Sequence, residues 1–152
     1  MLRLPKKLLF AIEAVLDIAY NAGPQPVQSR DITSRQGIPR RYLEQVLQSL
    51  VRAGILGGVR GPRGGYRLAR ERRRITVGDI TRVVAQIENG EEAGDEKIPE
   101  SGLGARVVRP MWFSVQDTLL KTLDEITIED LCLKANHVGI ESDARKHIDF
   151  SI

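Results

Sequence analysis

Three features of the sequence predict a mainly α-helical chain with one small β-hairpin and a long helix near the C-terminus. Apolar residues recur at helical spacing in four segments, beginning at Leu8, Leu43, Ile80 and Met111. A glycine- and proline-rich corner, VRGPRGGYRL from Val59 to Leu68, lies between two short β-prone runs. Charge is divided unevenly: twelve arginines and no lysine fall between Arg30 and Arg74 against three acids, so this block carries +9 and the remainder −6 of a net +3. At 152 residues the chain can bury one core of ordinary size, and no run of apolar residues is long enough to cross a bilayer.

The first helix follows from Leu8, Ile12, Val15, Leu16 and Ala19, and it stops at the turn Asn21-Ala22-Gly23-Pro24. Its surroundings, MLRLPKKLLFAIEAVLDIAY, have the basic start and apolar body of a secretion signal. Glu13 and Asp17 interrupt that body and no small-residue cleavage pattern follows, so the segment reads as a mature amphipathic helix. A short polar helix from about Ser29 to Gln36 buries Ile32 and closes on Gly37, which can take the left-handed conformation of a helix C-terminus. The third helix, IPRRYLEQVLQSLVRAG, places Pro39 in its first turn, where the missing N–H costs nothing. Leu43, Val46, Leu47, Leu50 and Val51 form its apolar stripe, and Arg40, Arg41, Glu44, Gln45 and Gln48 its polar face.

Two helices joined by a short glycine turn form a helix-turn-helix candidate, whose second helix presents its polar face to a DNA major groove. Any small bundle contains such corners, so the pair alone is weakly specific. The hairpin that follows adds weight: Ile55 to Val59 and Tyr66 to Leu68 read as strands around the glycine corner, a wing set behind the candidate recognition helix. There Arg60 and Arg63 suit phosphates or the negative potential of a narrow minor groove, Pro62 stiffens the tip, and Gly61, Gly64 and Gly65 remove bulk near a duplex. A nucleotide-binding loop is a poor alternative, because the corner lacks a GK[ST] ending and leads into a strand, not a helix.

Beyond the wing, Thr76-x-x-Asp79 opens a helix with Ile80, Val83, Val84 and Ile87 on one side. Glu88 to Gly104 holds six acids and four glycines with little to bury, and reads as a mobile loop. A long helix from about Val108 to Glu125 carries Met111, Val115, Leu119, Leu120, Leu123 and Ile126, with Pro110 tolerable in the first turn and Trp112 and Phe113 widening the apolar surface. That is more apolar surface than one small core covers. Met111, Val115, Leu119 and Leu123 are accordingly expected at a two-fold dimer contact, with packing against the first helix as the alternative. Thr127-x-x-Asp130, flanked by Ile126 and Leu131, begins a last helix. The expected organisation is a winged helix-turn-helix domain over 1–87, an acidic flexible loop over 88–105, a dimerisation helix and short terminal helix over 106–136, and a partly disordered tail over 137–152 that includes His147.

No serine–histidine–acid arrangement, paired-carboxylate motif or cofactor fingerprint points to an enzyme. The single cysteine, Cys132, excludes an internal disulfide framework and any multi-cysteine metal site, which fits a reducing cytoplasm; set between Leu131 and Leu133, it reads as a small buried hydrophobe. His137 and His147 show no metal-ligand spacing. The basic block beside an acidic remainder is the footprint of a surface that meets phosphates, although a solvated arginine face has the same composition. Arginine suits guanine, glutamine adenine, and glutamate the amino group of cytosine. Glu44 is therefore either a base filter or the partner of Arg40 or Arg41, while Arg72, Arg73 and Arg74 form either a solvated bend or a phosphate contact.

YLEQVLQSLVRAGILGGVRGPRGGYRLAR followed by ITVGDI resembles the Rrf2 family of bacterial winged-helix regulators, most strongly between Ile38 and Ile80. The combination of YLEQ, RGPxGGY and TVGDI carries the resemblance. It implies a homodimer that binds an imperfectly palindromic operator in double-stranded DNA, usually as a repressor, under the control of a small-molecule or protein effector or of none. It also implies that Tyr42, Glu44 and Gln45 lie in the recognition helix, that Arg60, Pro62 and Gly64 lie in the wing, and that Arg3 and Lys7 are basic N-terminal positions near the DNA backbone. Cluster-binding members carry three cysteines in the loop that here has none, and, aligned on Trp112, the last cysteine and a nearby histidine ligand would fall close to Arg106 and Arg109, which argues against an iron–sulfur cofactor. The competing expectation is a protein-interaction module that keeps the winged fold without sequence-specific DNA binding.

Overall fold

The computed structural model describes residues 5–91 and 101–144. Six helices and one hairpin follow in order: α1 (Lys6–Tyr20), α2 (Ser29–Gln36), α3 (Arg40–Arg52), β1 (Leu56–Val59), β2 (Gly65–Leu68), α4 (Val77–Glu91), α5 (Arg109–Asp124) and α6 (Ile128–His137). A 3-10 turn at Arg72–Arg74 precedes α4, and a π-helical turn at Gly104–Val108 leads into α5.

Helix α1 is the axis of the fold and meets α2, α3, α4, α6 and β2. Ala11, Ala14, Val15 and Ile18 are buried along it because alanine lets neighbouring helices approach while valine and isoleucine fill the spaces between them. Ile32 from α2, the Leu43, Val46, Leu47 and Leu50 stripe of α3, and Ile55, Ile75, Ile80 and Ile128 close around it. Each such side chain contributes about 1.5–3 kcal/mol by leaving water. Gly37 ends α2 at φ 67°, its N–H donating to the Thr33 carbonyl, as the sequence predicts.

The hairpin is antiparallel, pairing Leu56 with Leu68 and Val59 with Gly65. Val27 extends it by one residue, exchanging both backbone hydrogen bonds with Tyr66 at 3.0 and 2.8 Å. This crossing explains Gly65: a Cβ there would sit 2.4 Å from the Val27 carbonyl oxygen. Glycine at that position serves the protein's own backbone, not only clearance from a duplex.

Both threonine–aspartate boxes form as expected. Thr76 and Asp79 exchange bonds of 3.0 Å in each direction at the start of α4, and Thr127 and Asp130 do so at 2.9 and 3.1 Å at the start of α6. The two caps lie side by side, because Thr76 and Thr127 form an antiparallel bridge.

Both ends of the expected loop need correction. Helix α4 runs through Glu91, so helical structure enters the segment expected as a loop from 88; Glu88 and Glu91 are good helix formers, and the helix continues past its last apolar residue at Ile87 despite Asn89 and Gly90. On the other side, Gly104–Val108 is already helical, which removes 104–105 from the loop; residues 92–100 lie outside the described residues. The tail is docked through Ala144. Ser142 is buried, its Oγ donating to the Tyr20 carbonyl at 2.7 Å; the Tyr20 hydroxyl donates to the Ile140 carbonyl, and the Asp143 N–H donates to Asn21 Oδ1 at 3.0 Å. His147 lies outside the described residues.

Candidate nucleic-acid interface

Helix α3 buries its leucine stripe against α1 and turns Arg40, Arg41, Glu44, Gln45 and Gln48 outward, all of them exposed. Arg40 Nε donates to Glu44 Oε1 at 3.1 Å, a one-turn ion pair, which gives Glu44 the intramolecular partner anticipated as one of its two roles. Tyr42 behaves differently from its neighbours. It is half-buried, with its ring 6.1 Å from that of Phe10, and its hydroxyl donates to the Lys7 carbonyl at 2.6 Å, tying α3 to the start of α1. Lys7 itself is exposed there, and Arg3 lies outside the described residues.

An open cleft of about 710 Å3 separates the helix-turn-helix from the wing. Arg30 at the start of α2, Arg40 on α3 and Arg60 on the wing line it together with Pro62 and Gly64. Gln45 and Gln48 lie on the other flank of α3, where with Arg52 they border a second cleft against Val83 and Gln86 of α4. Arg63 stands on the outer side of the wing beside Arg60 and Arg67, facing Pro24 to Pro26. The expected side chains of α3 are thus divided between its two flanks, Arg40 toward the wing and Gln45 and Gln48 toward α4, while Arg63 stands apart on the outer side of the wing.

Arg30 and Arg52 join this surface without having been singled out in the sequence. The signal was present: both are arginines of the basic block placed on polar faces of helices whose opposite faces are buried.

Not every arginine of the block is available. Arg35 holds the buried Asp17 in a fork of 2.9 and 2.7 Å and reaches Asp143 at 2.6 Å. Arg67 donates to the carbonyls of Gly23 and Pro24, and Arg70 to that of Gly54. Arg72 lies 3.9 Å from Glu129, and Arg73 bonds Glu71. Arg72 and Arg73, each beside a carboxylate of the protein, stay 45% and 62% exposed, as the solvated bend expected of them requires. Arg40 has Glu44, which leaves the side chains of Arg30, Arg41, Arg52, Arg60, Arg63 and Arg74 without an ion pair or hydrogen bond among the described residues.

The expected dimer residues lie apart from this face. Leu103, Val107, Met111, Val115 and Leu119 recur at every fourth position through the π turn and α5, each between 49% and 75% exposed. No residue of α5 is buried, and its chief contact is with α4, so the alternative of packing against the first helix is not what forms. Leu123, expected on the same stripe, is half-buried at the root of the helix. Pro110 occupies the first turn as expected.

Cys132 is 2% exposed, and burial raises its thiol pKa against the opposing pull of the Arg72 guanidinium. Arg106 and Arg109, near which the resemblance places the last cluster ligands, offer no thiolate or imidazole, and among the described residues no three histidine, cysteine or acidic side chains come together to hold a metal. With one buried cysteine in the whole chain, the residues do not fit a thiolate-held iron–sulfur cluster.

Residues 4–134 match the family model described as Rrf2, iron-dependent transcriptional regulator. The HTH-type transcriptional regulator IscR of Vibrio atlanticus is 32% identical over 151 residues, spanning 99% of this chain and 86% of that one. IscR of Escherichia coli O1:K1 is also 32% identical, over 96% of this chain and 88% of its own length. Among solved structures, T. potens IscR superposes with a TM-score of 0.69 at 35% identity over 93% of both chains. CymR, the global cysteine regulator of B. subtilis, gives 0.64 at 29% identity, over 88% of this chain and 98% of that one. These relatives are regulators and not enzymes, and no described helix is long and apolar enough to cross a membrane. A recognition helix and wing carrying unpaired arginines, on a fold shared along nearly the whole chain with these proteins, place this chain in the Rrf2 family of helix-turn-helix transcriptional regulators.

Proposed function

We propose that the protein acts in the cytoplasm as a homodimer on a palindromic operator, repressing by occupancy. Residues 1–87 bind the duplex, and the helix from 106 onward joins two copies. The observation that carries this reading is the cleft between α2, α3 and the wing, where among the described residues Arg30 and Arg60 stand without a carboxylate and Arg40 shares one. Such a cleft accepts a phosphate ridge while α3 enters the adjacent major groove. In this arrangement Arg40, Arg41, Gln45 and Gln48 reach base edges or flanking phosphates, and Arg60, Arg63, Pro62 and Gly64 follow the backbone beside them. Lys7 and Arg3 add charge at the N-terminal edge. Tyr42 contributes by fixing α3 through Lys7. Glu44 filters bases once Arg40 turns to a phosphate.

The apolar stripe of Met111, Val115 and Leu119 supports the dimer, because a two-fold copy is the partner that covers the same stripe on both sides. With no thiolate set for a cluster, the regulator works without a conventional one; its effector, if it has one, is another small molecule or a protein.

A randomised-site selection with purified protein, followed by binding of the recovered duplex and a scrambled one at physiological salt, tests the proposal. The expected result is a palindrome with half-sites about one helical turn apart, bound at least about a thousandfold more tightly than the scrambled duplex. Equal binding of both duplexes overturns it in favour of the protein-interaction module.

A further inference from the structure

The winged domain and α5 are joined at one built corner. The backbones on either side of it are locked together: the Val77 N–H donates to the Ile126 carbonyl at 2.8 Å, and the Ile128 N–H donates to the Ile75 carbonyl at 2.9 Å. This bridge fixes the turn after α5 to the start of α4 but leaves the direction of α5 itself to side chains. Arg82 of α4 grips Asp124, the last residue of α5, with Nη1 to Oδ1 and Nη2 to Oδ2 both at 2.7 Å. Asp79 stands 3.9 Å from the same guanidinium. Gly78 makes the approach achievable, since a Cβ there would lie 1.8 Å from Asp124 Oδ1. The hydrogen bond lowers the Asp124 pKa and raises that of Arg82.

Beyond this corner α5 has little to steady it. Leu120 and Leu123 are half-buried, whereas Met111, Trp112, Phe113 and Val115 are exposed. Sixteen residues make a lever about 24 Å long, so a swing of about 10° at the corner moves its far end by about 4 Å. That is close to the rise of about 3.4 Å between successive nucleotides.

We propose that Arg82, held on Asp124, is a positioning residue that sets the angle of α5 and thereby the half-site spacing the dimer accepts. The inference rests on the dimeric operator-binding reading above. Neither residue faces the cleft or the apolar stripe, so the pair acts through geometry alone.

The test uses the full-length protein and a series of operators whose half-sites are moved apart or together one base pair at a time. Sedimentation reports the dimer and thermal unfolding the fold. Arg82→Ala and Asp124→Asn should each remain dimeric and folded, bind the best-spaced operator about fivefold more weakly, and flatten the preference among spacings. The double variant should do no more than either single one, and Arg82→Lys should recover part of the preference. A wild-type dimer with a sharp spacing preference that Arg82→Ala leaves unchanged, even with uniformly weaker binding, overturns the inference alone. A wild-type protein that is monomeric, or indifferent to spacing, overturns the dimer reading and the inference together.

Discussion

Arg30 and Arg35 sit five positions apart on the same eight-residue helix and have opposite fates. Arg35 points to the rear, where Asp17 is fully buried and accepts its fork together with Gln36 Nε2 at 2.8 Å. Arg30 points forward into the cleft beside the wing, with no carboxylate paired to it among the described residues. The residue type is the same and so is the nominal charge. What separates a structural arginine from one free to meet phosphate is whether the fold brings an acid to it, and composition cannot report that.

The largest effect should come from breaking the rear corner. Arg35→Ala leaves a buried carboxylate with one amide donor, and a stranded buried charge typically costs 3–5 kcal/mol. Because Gln36 remains and the Arg35 side chain is 26% exposed, a loss of about 3 kcal/mol is expected, read as a lowered midpoint in urea. Asp17→Asn with Arg35 intact should cost less. Operator affinity of the folded fraction should stay close to wild type. A large loss of DNA binding at unchanged stability would erase the distinction between the two arginines.

Arg30→Ala and Arg60→Ala should invert that pattern. Each is a surface change of about 0.5 kcal/mol or less in stability. In a dimer each removes two phosphate contacts, so the slope of log affinity against log salt should become shallower by about 1.8. The loss should be nearly uniform across operator and scrambled duplex, which an anisotropy titration at several salt concentrations measures. Glu44→Ala sharpens the front face further. It should sacrifice about 1–3 kcal/mol of discrimination at one position of each half-site while changing affinity for the best site less, and a repeated site selection shows this as one relaxed base pair in each half of the palindrome.

Local chemistry was the legible part of this molecule. The two threonine–aspartate boxes, the leucine stripe of α3, the stop at Gly37 and the hairpin strands all follow from residues within a few positions of one another, and all form. Pairing across long separations was not legible. Nothing near Asp17 announces Arg35 and Asp143, nothing in the wing announces that Arg67 is spent on the carbonyls of Gly23 and Pro24, and the YLEQ tyrosine turns inward to Lys7 while its neighbours turn outward. Half of the arginine block is consumed in this way, by partners on other elements or within its own turn. The outward face of α3 was nevertheless legible, because burial of one helix face by its own leucines fixes which residues must face out, whichever of them later find partners.

The smallest effect concerns Cys132, the meeting point of the two halves of this contrast, since Arg72 approaches it from the basic block while burial opposes ionisation. Burial is the larger influence and the thiol pKa is raised, so the folded state favours the protonated form. The sign of the linkage follows: this contribution to stability is fully present below the unfolded thiol value of about 8.5 and is lost as pH rises from there through the higher folded value. Between about pH 8 and 10 the wild type should therefore lose stability slightly faster than Cys132→Ala, after each is normalised to its own value at pH 7, because the variant has no thiol to ionise on unfolding. Iodoacetamide should label the native protein much more slowly than the urea-unfolded one at pH 8. Rapid native labelling, or identical alkaline slopes, would mean that Arg72 at least offsets burial and that the fold does not hold the thiol protonated.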